Sequence, residues 1–210
     1  MKYFLDTEFH EYKRKGIDTI ELISIGIVNE EGKEYYAVCN EFDVKAAWDN
    51  EWLRENVLKS IWEELNVEMG TYHKTYFYNT TNKFCLKHLK RLLKWRGKTK
   101  AEIAKEIKDA IYAPWTQEQE LSTNGNFTPK DVEFYAYYAD YDWVVFCWLF
   151  GRMIDLPKGF PMYCKDLKQI MDEQGYGSDW KKQYCPDPIG EHNALVDAKW
   201  NLALFTQMGL

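Results

Sequence analysis

The alternation of apolar and polar positions predicts three strands within the first forty residues. Residues 2–9 read as a short strand, and residues 19–29 form a longer, nearly continuous run of apolar and β-branched side chains. A polar turn around Gly32 leads into a third strand over residues 34–39. The pattern therefore predicts a three-stranded antiparallel meander at the start of the chain.

The remainder of the chain predicts helices interrupted by two further strands. Helices are expected over residues 44–65, 84–95, 100–111, 143–151, 166–174 and 194–207, and strands over residues 131–138 and 162–164. Asn193 is a suitable N-cap for the last helix. Residues 66–82 show no clear period, and residues 114–130 are polar and read as an exposed excursion. This order predicts an α/β fold with a mixed sheet flanked by helices in one domain of 210 residues.

Two carboxylates stand out on the first predicted strand. Asp6 and Glu8 are alternate residues among apolar neighbours, so both side chains project from the same face of the strand. Like charges side by side on a core strand are costly unless a cation lies between them, and Mg²⁺ prefers hard oxygen ligands. Two other Asp-x-Glu pairs, at 49/51 and 131/133, read as surface charge. The first pair is therefore a candidate metal site.

Two later segments carry further candidates. His192 is followed five residues later by Asp197, which lies in the first turns of the last predicted helix on an apolar face. A loop histidine can take a proton from a water, and an inward carboxylate is again explained by a metal. Asp142 stands where an apolar strand passes into a helix, with Asp140 as the competing choice. Each motif alone is compatible with ordinary capping or surface charge.

Composition changes this picture in two places. The formal net charge is −6, but residues 83–100 contain eight Lys/Arg and no acid, which leaves 19 basic against 33 acidic residues elsewhere. This basic segment is either a solvated helix face or a surface for a phosphate backbone. There is no apolar run long enough for a membrane span and no signal peptide, and the five cysteines include no CxxC pair. We therefore expect a cytoplasmic protein without a membrane partner.

Taken together, the three segments resemble the DEDDh family of 3′→5′ exonucleases, which has an RNase H-like fold. The similarity is strongest to the small bacterial exoribonuclease branch of mycobacterial type. The stretches that carry it are YFLDTEF at 3–9, TIELISIG at 19–26, EYYAV at 34–38, YD at 141–142 and ALVDA at 194–198. Residues 66–130 match less well, and the resemblance implies an insertion at about 66–130. Asp140 departs from the family pattern, which usually has a small or uncharged residue there.

The resemblance implies a two-metal hydrolysis that uses Mg²⁺ or Mn²⁺ and releases nucleoside 5′-monophosphates. By position, Asp6, Glu8 and Asp197 are assigned to one metal, Asp6 bridges to the second, and Asp142 acts through the water shell of that ion. His192 becomes the general base. The family branch also implies RNA as the substrate, and its small members are often homodimers.

Substrate contacts are a further expectation. Thr7 and Phe9 lie beside the metal ligands, so the resemblance places them near the terminal nucleotide. Glu21 and Leu22 on the second strand are additional candidates, and Glu21 could accept a hydrogen bond from the 2′-hydroxyl that distinguishes RNA from DNA. Core packing explains Phe9 and Leu22 equally well.

Three alternatives stay open on the sequence alone. The same site could act on DNA instead of RNA. A different class of protein, a catalytically silent nucleic-acid-binding module, would keep the fold, although the complete set of five candidate side chains argues against it. An RNase H-type endonuclease would leave His192 without a role.

Overall fold

The computed structural model describes residues 1–72, 83–119 and 132–210, and a five-stranded mixed sheet lies at its centre. The strands are β1 (Lys2–Arg14), β2 (Ile17–Asn29), β3 (Glu34–Val38), β4 (Glu133–Ala136) and β5 (Lys165–Asp166). Their order across the sheet is β3-β2-β1-β4-β5. The first three form an antiparallel meander, whereas β4 and β5 join parallel to β1. The predicted α/β class and the mixed sheet are confirmed.

The β1–β2 hairpin is longer than the sequence pattern predicts. It reaches Arg14 and Ile17 and turns through Lys15 and Gly16, both with positive φ. The register of the β1–β2 pairing shifts between Glu8 and Phe9, since Glu8 pairs with Ser24 but Phe9 pairs with Leu22. A bulge of this kind increases the local twist and re-aims the side chains that follow it. Beyond the bulge, β1 and β2 pair only with each other among the described strands.

Nine α-helices flank the sheet within the described residues. They are α1 (Val44–Asp49), α2 (Glu51–Leu53), α3 (Lys59–Tyr72), α4 (Leu86–Arg96), α5 (Lys100–Gln119), α6 (Ala139–Phe150), α7 (Leu167–Glu173), α8 (Ser178–Tyr184) and α9 (Ala194–Gln207). A π-helical turn over Arg54–Leu58 joins α2 to α3, and a 3₁₀ turn over Met153–Asp155 follows α6. None of the described helices is long and apolar enough to cross a lipid bilayer.

Helices cover both faces of the sheet. Alternate residues of β1 separate the two sides, so Leu5 packs with Phe146 of α6 and Ile107 of α5, whereas Phe4 packs with Phe205 of α9. Helices α1 to α4 form a third cluster around Val38, on the α9 side. Because Asp6 and Glu8 share the orientation of Phe4, they face α9.

Several predicted boundaries were wrong. Helix α5 was predicted to end at 111 but continues to Gln119, and the rest of the predicted excursion, residues 120–130, lies outside the described residues together with residue 131 and residues 73–82. Helix α6 begins at Ala139, four residues before its predicted start. The last predicted strand lies at Lys165–Asp166, after residues 162–164. Helix α8 was not predicted at all, because none of its residues is buried and the apolar period is therefore missing. By contrast, α9 and its Asn193 cap have the predicted bounds.

Candidate active site

Three carboxylates converge between β1 and α9. Asp6 and Glu8 project from the same face of β1, and Asp197 lies in the first turn of α9. One oxygen from each of the three lies within 4.8 Å of the others. This spacing suits oxygen ligands around a single divalent cation, whose bonds to oxygen are about 2.0–2.6 Å long.

The position of Asp197 depends on a glycine in β2. Gly26 pairs with Asp6 across the hairpin, and the backbone of Ala194 and Leu195 lies directly over it. A side chain at position 26 would collide with that backbone, so only glycine permits α9 to approach the sheet this closely. The first turn of α9 is thereby brought over the strand that carries Asp6.

Asp142 joins the site from the opposite side of β1. Strand β4 pairs with β1 only as far as Phe4. Beyond that residue, backbone groups of β1 that do not bond to β2 form hydrogen bonds with side chains. Asn201 Nδ2 donates to the carbonyl of Leu5 at 2.9 Å. The amide of Thr7 donates to Asp142 Oδ1 at 2.9 Å, and the Thr7 hydroxyl donates to the same oxygen at 2.6 Å. Asp142 is buried in the first turn of α6, whereas Asp140 is exposed, so Asp142 is the carboxylate that reaches the site.

His192 stands at the edge of this cluster in a left-handed backbone conformation, with φ of 69°. Such a conformation is strained in a residue other than glycine and persists when the surroundings fix it. Here the His192 amide donates to Asp197 Oδ2 at 2.9 Å. The imidazole ring lies edge-on to the Trp52 ring, with centroids 4.7 Å apart. Asn193, the next residue, caps α9 and donates to Glu64 Oε2 at 3.1 Å.

Burial and mutual repulsion raise the pKa values of two of the carboxylates, Asp6 and Glu8. Burial, followed by repulsion from Asp142 and Glu8, raises the pKa of Asp6 well above its ordinary value. Burial, followed by repulsion from Asp197, raises the pKa of Glu8 to about 8. A cation placed among these oxygens would remove both penalties, so the donor set fits a divalent metal.

The pKa values of the other two carboxylates, Asp142 and Asp197, are also raised, but hydrogen bonds partly offset the increase. Burial raises the pKa of Asp142 to about 7, although the two bonds from Thr7 lower it. Burial likewise raises the pKa of Asp197 to about 6, although the His192 amide lowers it. The amides therefore take over part of the charge compensation that water would otherwise give.

A cleft of about 330 Å³ opens over these side chains. Its aromatic lining consists of Phe9, Tyr137, Tyr138, Tyr141 and Trp200. Lys181 of α8 is the one lysine or arginine that lines the cleft among the described residues, and its amine bonds to Asp187 at 2.6 Å. The same amine lies 5.1 Å from the Tyr137 ring centroid and 4.9 Å from that of Trp200. The cleft thus combines acidic groups at its base with rings and a cation along its walls.

The predicted substrate residues divide into two pairs. Thr7 and Phe9 line the cleft, and the Phe9 ring centroid lies 5.8 Å from that of Tyr141. Glu21 and Leu22 are both buried and are not part of its lining. The Glu21 carboxylate instead accepts hydrogen bonds from the Tyr12 hydroxyl, the Arg14 guanidinium and the Asp43 amide. Recognition of a 2′-hydroxyl by Glu21 stays a prediction, and it would require Glu21 to give up at least one of these three hydrogen bonds.

Several residues in the cleft or in contact with His192 were not predicted from the sequence. Lys181 lies on the helix that was not predicted, and Trp52 precedes a π-helical turn that no sequence pattern marks. Tyr141 lies in one of the stretches that carry the family resemblance, but the chain is 17% aromatic and nothing in the sequence indicates which of its rings line a cleft.

Comparison with known proteins gives a consistent result. A family model described as the 3′-5′ exoribonuclease Rv2179c-like domain matches residues 1–208. The chain is 30% identical over 205 residues to the 3′-5′ exoribonuclease Rv2179c of Mycobacterium tuberculosis strain H37Rv. The aligned region covers 98% of this chain and 91% of the relative. The protein named 3′-5′ exoribonuclease MT2234.1 from strain CDC 1551 matches with the same identity and coverage. The chain therefore belongs to the Rv2179c-like 3′-5′ exoribonuclease domain family.

Proposed function

We propose that this chain is a metal-dependent 3′→5′ exoribonuclease that releases nucleoside 5′-monophosphates. The observation that carries the proposal is the convergence of Asp6, Glu8 and Asp197 oxygens within 4.8 Å, with Asp142 and His192 beside them. These are the five residues assigned from the sequence pattern. The activity named for the related proteins supports the choice of RNA and of the 3′ end.

In this proposal, Asp6, Glu8 and Asp197 would hold one divalent cation, and Asp6 and Asp142 would help to hold a second. When bound, Mg²⁺ or Mn²⁺ ions supply the Lewis acidity that activates a water and stabilises the leaving 3′ oxygen. Thr7 keeps Asp142 oriented through its amide and hydroxyl. The carboxylates would thus bind the cations and balance their charge, and they would not act as general acids or bases.

His192 acts as the general base. The backbone amide of His192 donates a hydrogen bond to the Asp197 carboxylate, which holds His192 beside the candidate metal ligands. A neutral imidazole can take the proton of the attacking water. The Trp52 ring packs edge-on against the imidazole. Replacing His192 with Ala is expected to lower kcat by a factor of about 10² to 10⁴.

The cleft walls support binding of a flexible 3′ end. Phe9 and Tyr141 present adjacent rings, and stacking on an aromatic ring stabilises an unpaired base by about 1–3 kcal/mol regardless of its identity. Tyr138 is exposed at the mouth of the cleft. Sequence-tolerant stacking of this kind suits an enzyme that removes one nucleotide after another.

The test uses a 5′-labelled single-stranded RNA incubated with Mg²⁺, with Mn²⁺ or with EDTA, beside DNA of the same sequence. The expected result is a metal-dependent ladder that shortens from the 3′ end and stops when the 3′ end is blocked. Asp6→Asn should abolish it. Asp140→Asn, an exposed carboxylate two residues from Asp142, is the matched control and should leave it intact.

The other outcomes identify the alternatives. Equal degradation of DNA would replace the RNA assignment with an exonuclease of broader or different sugar preference. Cleavage of a 3′-blocked strand would indicate an endonuclease. Binding of RNA with no cleavage under any metal would indicate a binding module that has kept the fold.

A further inference from the structure

Helix α4 carries a basic face that the proposed chemistry does not use. Lys87, Lys90 and Lys94 recur at spacings of three and four residues and are all exposed, while Leu89, Leu92 and Leu93 are buried on the opposite side. Residues at this spacing lie on one side of a helix. We call Lys87, Lys90 and Lys94 the α4 basic face.

These lysines are available for a ligand. No ion-pair partner for Lys87, Lys90 or Lys94 occurs among the side chains of residues 1–65, 83–113 and 132–210, whereas Lys98 and Lys105 pair with Glu106 and Asp109. Residues 83–100 contain eight basic residues and no acid in a chain whose net charge is −6. Three exposed lysines without an acidic partner on one side of a helix form a surface suited to a polyanion.

A groove of about 410 Å³ adjoins this face. It lies between α1 and α4 and is lined by both Lys90 and Lys94 from α4 and by Lys45 from α1. Asp43 also lines it, but Oδ1 of that carboxylate accepts the amides of Lys45 and Ala46 at the start of α1. The groove therefore presents three amines, of which Lys45 is paired with Asp49.

The groove is linked to the candidate active site through the distal half of the β1–β2 hairpin. The Asp43 amide donates to Glu21 Oε2 at 2.7 Å, and Glu21 pairs with His10 across the two strands. His10 is two residues beyond Glu8, a separation of about 7 Å along a strand. A single strand whose 3′ end lies at Glu8 could therefore reach the groove within a few nucleotides.

We propose that the α4 basic face and the adjoining groove bind the phosphate backbone of the RNA upstream of its 3′ end. The inference rests on the proposed exoribonuclease function and names the surface that holds the part of the substrate not being cleaved. The cleft itself is lined by six carboxylates and repels a polyanion until cations are bound. A basic surface close by offsets that repulsion and favours long substrates over short ones.

The test compares two triple variants with the unaltered protein. Lys87→Ala/Lys90→Ala/Lys94→Ala removes the α4 basic face, and alanine favours the helix, so the fold is preserved. Lys105→Ala/Lys108→Ala/Lys158→Ala removes the same charge from exposed lysines on α5 and beyond α6. Both are assayed with Mg²⁺ on a long single-stranded RNA and on a dinucleotide. Binding of the long RNA is measured separately in EDTA by fluorescence anisotropy.

We expect the α4 variant to lose about tenfold in kcat/KM on the long RNA, through KM, and to act normally on the dinucleotide. The slope of log kcat/KM against log salt concentration should become shallower by about 2, since each phosphate contact on a single strand contributes about 0.7. Equal behaviour of the two triple variants on long RNA would overturn the proposal, as would an equal loss on the dinucleotide. Absence of RNA cleavage by the unaltered protein would instead refute the proposed function.

Discussion

The backbone of Ala194 lies against Gly26 so closely that no side chain fits between the first turn of α9 and strand β2. Gly26 pairs with Asp6, and Ala194 precedes Asp197 by three residues. The contact between Gly26 and Ala194 therefore sets the separation of two carboxylates that come from opposite ends of the chain. The geometry of the candidate metal site depends on the absence of a single methyl group.

Gly26→Ala is expected to move α9 away from the sheet. Overpacking of this kind lowers the free energy of unfolding by about 1–3 kcal/mol. Exonuclease activity should fall by about a thousandfold, because metal ions contribute several kcal/mol to the barrier and their ligands would separate. Thermal denaturation and a Mg²⁺ titration of activity measure the two effects.

Gly177→Ala is the matched control for that substitution. Gly177 caps α8 with an ordinary negative φ of −88°, and no atom lies within 4 Å of where its Cβ would stand. This variant should keep its activity and lose at most about 1 kcal/mol of stability, because alanine is a poorer N-cap than glycine. A Gly26→Ala protein that binds metal and cleaves RNA like the unaltered protein would show that α9 does not depend on this close contact.

The Thr7 hydroxyl offers a second test, because it touches the site through Asp142. Thr7→Val keeps the shape and the backbone amide but removes the donor that lies 2.6 Å from Asp142 Oδ1. The buried carboxylate then loses one of its stabilising bonds, and its pKa should rise further above about 7. Loss of a residue that orients a ligand typically costs a factor of about 10–100 in metal affinity or activity.

Thr7→Ser restores the hydroxyl and should recover most of the activity lost in Thr7→Val. The comparison is made by measuring kcat and the Mg²⁺ concentration at half-maximal activity for both variants. If the valine and serine variants are equally active, the hydroxyl does not orient Asp142, and the backbone amide of Thr7 is sufficient.

The local features of the site could be predicted from the sequence. Asp6 and Glu8 required only the alternation of a strand, and the Asn193 cap fixed the start of α9 and thus the inward position of Asp197. The choice between Asp140 and Asp142 depended on where α6 begins, and its N-cap, Tyr138, adopts a left-handed conformation that no sequence pattern signals.

Features that arise from tertiary packing could not be predicted. Gly26 has no sequence signal for its role, since the residue that requires it, Ala194, is 168 positions away. Lys181 lies on a helix without any buried side chain, so the binary pattern was silent there. Trp52 meets His192 only because the π-helical turn and the loop before α9 come together in space.

The pair formed by Lys181 and Asp187 provides a third prediction, concerning the loop that leads to His192. Asp187 lies five residues before His192, so the ion pair attaches this loop to α8. Lys181→Met keeps the aliphatic stem against the Tyr137 and Trp200 rings but removes the charge. We expect kcat to fall about fivefold to tenfold, the equivalent of about 1 kcal/mol for a partly exposed pair.

Asp187→Asn should have the same effect, and the double variant should be no worse than either single one, because all three remove one interaction. KM should stay unchanged in each. A rise in KM for Lys181→Met alone, with Asp187→Asn unaffected, would show that the Lys181 amine contacts the RNA phosphate instead of positioning the loop.

The carboxylate cluster makes the stability of the metal-free protein depend on pH in an unusual direction. The pKa values of Glu8, Asp142 and Asp197 are raised to about 8, 7 and 6, whereas in the unfolded chain they lie near 4. The folded state therefore binds more protons than the unfolded state between about pH 4 and pH 8. By linkage, these groups favour folding at the acid end of that window and lose this contribution as the pH rises through their folded values.

In EDTA, the Tm is accordingly expected to fall as the pH is raised from about 5 to about 8. Saturating Mg²⁺ should raise the Tm most at the upper end, where the carboxylates must otherwise be charged without compensation. Asp6→Asn removes one buried charge, so it should raise the Tm of the metal-free protein at pH 8 while abolishing activity and the response to Mg²⁺. A Tm in EDTA that rises over this pH range, or a Mg²⁺ effect that is equal at both ends, would contradict the arrangement of mutually repelling carboxylates from which the metal site is inferred.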